Sequence, residues 1–267
     1  MTFSAQLLLH QQPGFHPYLF IIFFATFFDY NLHRLYTLHF AGEALKGERH
    51  AWLSKNKTLF YVLMACASLG FLISIIYAKT EVLVALIPFA AITIFYSIPF
   101  IRWKNKLLRL RDLPYLKIFF IAINWTMITV ILPLVQYGPT IRNEEIVVII
   151  LERFFFVLAL CIPFDIRDIE VDQRAGLKTI PTSIGAKNSY RLAYLSLLIS
   201  VLISQFHYLN WASINFAVST LICGIVSVIA IYNAKQRLNN LYLYGVIDGL
   251  LLVQSILIIA AYWIHPI

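Results

Sequence analysis

The sequence predicts an all-α fold, a polytopic membrane helix bundle of about eight transmembrane helices. Three observations predict it. The 267 residues are 60% hydrophobic and only 13% charged, about half the charge of a soluble domain. Apolar runs recur that are close to the ~20 residues a helix needs to cross a hydrocarbon core. The net charge of +8 sits in alternate connections between those runs. Such low charge excludes a water-soluble globule, and the apolar content excludes disorder. A pI near 9.4 invites a nucleic-acid reading, but the placement of the basic residues removes it. The partner they imply is a lipid bilayer, with no nucleic acid.

In chain order, the first span runs from Pro17 to Phe40 and carries Asp29, His33 and Arg34 in its second half. Thr58 to Ala78, Val82 to Ile101 and Ile118 to Ile141 follow, each free of charged residues. Ile146 to Phe164 spans if Glu152 and Arg153 face protein, because an ionised side chain facing lipid is costly. Leu192 to Ala234 is uncharged and long enough for two helices, with a turn expected near His207-Tyr208-Leu209-Asn210. Tyr244 to Ile264 closes the set, apolar except for Asp248, which needs a basic or backbone partner inside the bundle. Met1 to His10 is apolar but too short to cross, and reads as the tail of a preceding helix. A further N-terminal span is therefore expected. Cys66, Cys161 and Cys223 fall within spans and lack metal-site spacing.

The connections after the first, third, fifth and seventh spans, with their helix ends, hold eighteen of the 21 basic residues. Only Lys79 and Arg142 lie on the other side, and Arg153 lies within a span. Positive loops face the cytoplasm. The expected location is thus the cell (inner, cytoplasmic) membrane, multi-pass, with the basic loops inside and both ends of the sequence outside.

Three of the six aspartates crowd into Phe164-Asp165-Ile166-Arg167-Asp168-Ile169-Glu170-Val171-Asp172 on that basic side. On one continuous helix, Asp165, Asp168 and Asp172 fall within about 60° of each other and Glu170 points elsewhere. Such a cluster repels itself and calls for a cation. Mg²⁺ suits it, since that ion takes one or two carboxylates and completes its shell with substrate phosphates. Arg167 is placed to pair with a carboxylate or a phosphate oxygen. On composition alone the cluster also reads as a solvated loop whose acids offset its arginines.

The stretch from Asp165 through Asp168, Asp172, Gly176, Thr179 and Pro181 to Gly185 resembles the second aspartate-rich motif of the UbiA prenyltransferase superfamily, D-x-x-D-x-x-x-D followed by G-x-x-T-x-P and a later glycine. Tyr96-Ser-Ile-Pro99-Phe-Ile-Arg102-Trp-Lys104 is similar to that family's Tyr…Pro…basic segment. The resemblance implies a single UbiA-like transmembrane domain over residues 1–267. It also implies transfer of a polyprenyl group from an allylic diphosphate to a lipophilic acceptor, assisted by Mg²⁺ on Asp165, Asp168 and Asp172. Arg102, Lys104 and Lys178 are expected to neutralise the diphosphate, helped by Asn31 and Arg34, and Tyr96 to shield the allylic cation. The family's first aspartate-rich motif falls on Phe28-Asp29-Tyr30-Asn31-Leu32-His33-Arg34-Leu35-Tyr36, where apolar residues replace most of the acids. Asp29 and His33 share a helix face and suit a hydrogen-bonded pair better than a magnesium site. The erosion supports an alternative, a non-catalytic isoprenoid-binding protein. An unrelated transporter is disfavoured, because its pathway needs more intramembrane ionisable groups. The acceptor and the prenyl chain length are not encoded in any motif.

Overall fold

The computed structural model describes residues 1–40, 56–98, 100–103, 106–211 and 213–264; the side chains of residues 33–40, 101, 103, 106, 107 and 211 lie outside that description. Among the described residues seven helices are long and apolar enough to cross a bilayer, and Pro17–Leu32 is a further apolar stretch. The order is α1 (Thr2–Leu8), α2 (Pro17–Phe40), α3 (Lys57–Ile76), α4 (Thr80–Ser97), β1 (Ile101–Trp103), β2 (Lys106–Leu108), α5 (Lys117–Tyr137), α6 (Asn143–Arg167), α7 (Ile169–Arg174), α8 (Ile180–Trp211), α9 (Ile214–Ala234) and α10 (Asn240–Ile264). The expected helical bundle is present, and β1 and β2 form only a short antiparallel hairpin in the α4–α5 connection.

The chain divides into two compact units, Gly14–Val84 and the combination of Met1–Pro13 with Ala85–Ile267. In the smaller unit α2 and α3 pack with Phe60, Met64 and Ala67 buried and the Phe24 ring lying over Gly70. Their remaining faces expose Leu69, Leu72, Ile73 and Ile76, as helices bathed in hydrocarbon should.

The larger unit is built around α6, over half of which is buried. Glu144 and Glu145 open this helix and Arg167 closes it, each charge complementing the macrodipole end it occupies. Ala159, Ile162, Leu197, Ile231 and Leu250 form one core between α6, α8, α9 and α10. A second core joins Leu7, Leu8 and Leu9 to Val130, Ile149, Tyr208, Phe216 and Ile258. Short α1 thus plugs the end of the bundle away from the acids, and Gln11 Nε2 and the Thr140 hydroxyl tie it to the chain around α5.

With no water in hydrocarbon, polar groups must pair internally. Ser219 donates to Leu257 O at 3.1 Å and Gln205 Nε2 to Ala217 O at 2.8 Å, linking α9 to α10 and α8 to α9. Gly224 lets α8 and α9 approach closely, because a Cβ there would lie 2.5 Å from Val201 Cγ2. Val is stiff at χ1, so Gly224→Ala is expected to destabilise the bundle by about 1–3 kcal/mol. Thermal unfolding in detergent checks this, and adding Val201→Ala should return most of the loss.

The α8–α9 turn differs from expectation. The helix continues through His207, Tyr208 and Asn210, and α9 begins after Ser213, whose hydroxyl caps Asn215 N at 3.2 Å. The added turn places His207 3.8 Å from Glu145 and the Tyr208 hydroxyl 2.8 Å from Glu152. Helical continuation there is favoured because both polar side chains find partners inside the protein.

Candidate functional site: an acidic rim around Lys117

The aspartate-rich stretch is not one helix. α6 ends at Arg167, and Asp168 (φ −89°, ψ 5°) is both its last cap and the entry to α7. The break splits the three carboxylates. Asp165 and Asp172 are buried and converge on one ammonium: Lys117 Nζ lies 2.8 Å from Asp165 Oδ1 and 3.4 Å from Asp172 Oδ2. Asp168 turns instead to Arg167, which donates from Nε at 2.7 Å and Nη2 at 3.0 Å. Glu170 points away and faces Arg174 at 3.5 Å.

Arg167 is held on every side. Its Nη1 donates to Asn240 Oδ1 at 2.7 Å, and its guanidinium lies 5.6 Å from the Phe164 ring and 5.7 Å from the Tyr244 ring. Tyr244 belongs to a π turn, Leu243–Ile247, that interrupts α10 just before Asp248; such turns often sit beside functional groups. Asp248, just after this turn, lies within electrostatic reach of the same Arg167. The intramembrane pair deeper in α6 is partly satisfied from outside that helix, with Arg153 Nε and Nη2 left without a hydrogen-bond partner among the described residues. Glu152 accepts from Tyr208 of α8, and Arg153 Nη1 donates to Met1 O at 3.4 Å.

Local chemistry explains the spacing of the motif. Gly176 (φ +69°) ends α7 in the left-handed conformation that only glycine adopts cheaply. The reversal allows Leu177 N to donate to Asp172 O at 2.9 Å and brings Lys178 O to Tyr115 N at 2.8 Å. Thr179 and Thr182 then exchange side-chain to backbone hydrogen bonds at the start of α8, and Pro181 sits in the first turn, where its missing N–H is harmless. The Lys178–Tyr115 tether fixes the segment that enters α5, and α5 begins with Lys117.

The other expected site residues are distributed as follows. Lys178 and Arg102 are exposed, and Tyr96 is half-buried near the end of α4. Next along the chain from Arg102, Asp112 accepts from Arg109 N, Nε and Nη2 at 2.9–3.0 Å. Partial burial pushes the Asp112 carboxyl up, but the Arg109 hydrogen bonds outweigh it and hold the group below the usual carboxylate range. Asn31 lies in the smaller unit and donates to its own helix at Phe27 O, 2.6 Å. Lys104 and the side chains of Arg34 and His33 lie outside the described residues, so the Asp29–His33 pairing does too.

Lys117 was visible in the sequence only as one of many loop cations. A signal for it existed, because a cation at the first position of a helix opposes the macrodipole by about 0.3–1 kcal/mol. A local rule broken without local reward points to a tertiary partner.

The chemistry of the donor set suits a hard divalent cation: carboxylate oxygens beside a flanking arginine. Among the described residues, no group of three His, Cys, Asp or Glu side chains is already gathered as a metal centre. Two acids grip Lys117 and the third grips Arg167.

A membrane helix bundle with an aspartate-rich rim at one end of its central helix defines the class. The chain matches the sequence model of the UbiA prenyltransferase family over residues 52–240, and it belongs to that family. It is similar to the solved structure of a UbiA homolog from Archaeoglobus fulgidus bound to Cd²⁺, with a TM-score of 0.57 and 15% identity over 100% of this chain and 95% of that one. At that identity the likeness establishes the fold. No curated protein matched the sequence.

Proposed function

We propose that the protein is an integral-membrane prenyltransferase that moves a polyprenyl group from an allylic diphosphate to a lipophilic acceptor. The observation that carries the reading is the buried Asp165–Asp172 pair on α6 and α7, kept together with half-exposed Asp168 in a chain of the UbiA family. Residues 1–267 are read as one transmembrane domain, supported by a family match that includes parts of both compact units. The acidic rim and basic loops are assigned to the cytoplasmic side of the cell membrane on the distribution of Lys and Arg.

Asp165, Asp168 and Asp172 would hold Mg²⁺, which when bound neutralises diphosphate oxygens as a Lewis acid. The protein's own groups do the rest. Arg102, Lys104 and Lys178 are assigned to neutralise the diphosphate oxygens, with Asn31 and Arg34 also assigned to it, all five from the sequence alone. Diphosphate leaves poorly until its charge is balanced, so preorganised cations stabilise the charge that develops as the C–O bond breaks. Tyr96 presents a ring face to the allylic cation, and the apolar bundle keeps water from it until the acceptor attacks.

The test is release of pyrophosphate from an allylic diphosphate by the purified protein with Mg²⁺ and a panel of aromatic and lipid acceptors. Release is expected, with loss on chelation and recovery when Mg²⁺ is returned. A second reading, isoprenoid binding without turnover, is favoured by the replacement of most acids of the first motif and by the engagement of both Asp168 oxygens with Arg167. It expects a co-purifying isoprenoid lipid, identified by mass spectrometry, and no pyrophosphate with any acceptor.

A further inference from the structure

We propose that Lys117 is a built-in cation of the acidic rim: a positioning residue that keeps Asp165 and Asp172 assembled and weakens their grip on free divalent ions. A divalent ion would then be taken up together with its anionic ligand rather than alone. The inference rests on the reading of this rim as a diphosphate site, and extends it to how the site is loaded.

The geometry is that of one cation shared by two acids from different helices. The ammonium is 2.8 Å from Asp165 and 3.4 Å from Asp172, and the three side chains are only 15%, 4% and 8% exposed. Asp165 lies before the break at Asp168 and Asp172 lies after it, so the ammonium bridges the two segments. Two buried carboxylates without a cation between them would repel and part. A metal ion can hold such a pair but can also be lost, whereas Lys117 is covalently attached and remains.

The charge count gives the second consequence. Lys117 cancels one of the two buried negative charges, and Arg167 cancels that of Asp168. The rim keeps one net negative charge, where the same acids without Lys117 would present two. A divalent ion arriving alone must displace or face an ammonium. When it arrives with diphosphate, the anion supplies further oxygens and offsets the lysine. Lys117 itself then becomes a donor available to a phosphate oxygen.

The experiment uses the full chain in detergent, with Mn²⁺ as a paramagnetic probe and no diphosphate present. Titration followed by the free-ion EPR signal should show weak binding to the wild type. Lys117→Met should bind Mn²⁺ on the order of tenfold more tightly, the direction expected from removing a positive charge a few ångströms away. Lys117→Arg, which keeps the charge, should resemble the wild type. Thermal stability gives an independent readout: Lys117→Met should lose stability in chelator and regain it with Mn²⁺ or Mg²⁺, but not with NaCl at equal ionic strength. Lys117→Gln serves if the methionine variant does not fold, with a change of the same sign.

Mn²⁺ affinity unchanged in both neutral variants overturns the proposal. So does equal behaviour of Lys117→Met and Lys117→Arg, or failure of both neutral variants to fold even with Mg²⁺ in every buffer. Because the readout needs no turnover, the two readings separate. Absent pyrophosphate release with the Mn²⁺ pattern intact removes prenyl transfer and leaves the role of Lys117 standing.

Discussion

Asp168→Ala is expected to reduce Mg²⁺-dependent pyrophosphate release by about a hundred- to a thousandfold, the usual scale for removing one preorganised electrostatic group from an active site. The carboxylate is the exposed member of the acid set, with a side chain 31% exposed, so it is the one best placed to meet an incoming metal–diphosphate complex. The fold should tolerate the change. Arg167 keeps its bond to Asn240 and its place between the Phe164 and Tyr244 rings, and no buried acceptor is orphaned. Unfolding temperature is therefore expected to stay near that of the wild type while release collapses, and Asp168→Asn should behave similarly because it retains shape without charge. Wild-type turnover in Asp168→Ala would remove this carboxylate from the reaction.

Glu152→Ala is expected to have the largest effect on stability, about 3–5 kcal/mol, the cost of breaking a buried charged network from one side. Glu152, Arg153 and Tyr208 are each about 1% exposed. Truncating the acid deprives the Tyr208 hydroxyl of its acceptor at 2.8 Å and leaves the Arg153 guanidinium in the interior without a neighbouring anion. Among the described residues its Nε and Nη2 already have no hydrogen-bond partner. Glu152→Gln keeps an acceptor for Tyr208 and should lose less. Adding Arg153→Met to Glu152→Ala should restore much of the loss, because replacing an entire buried charged set by apolar groups is often neutral. Unfolding by heat or denaturant in detergent measures all three, and a double variant no better than the single one would show that Arg153 is not the source of the strain.

Much of the architecture was legible because hydropathy is a property of windows. Runs such as Thr58–Ala78 and Ile118–Ile141 reappear as α3 and α5 within a few residues, since any helix crossing hydrocarbon must be apolar over about 20 positions. The turn between α8 and α9 was misplaced for a complementary reason. His207, Tyr208 and Asn210 read locally as a polar break, yet the helix continues through all three, and Glu145 and Glu152 of another helix await the first two. The acidic stretch shows the same division. Its place at the end of α6 follows from the order of residues, but its single helical face does not survive the break at Asp168.

The amino-acid order alone therefore determined the helical class, the spans, the distribution of positive loops and the concentration of acids on the basic side. Each depends on composition over short stretches, which the bilayer reads directly. Only the tertiary structure decided which cation each acid holds. Lys117 and Asp172 stand 55 residues apart in sequence, and ion pairing between buried groups falls off over a few ångströms. No local pattern encodes that distance. It is set by the packing of α5 against α6 and by the glycine reversal that ties Lys178 to Tyr115.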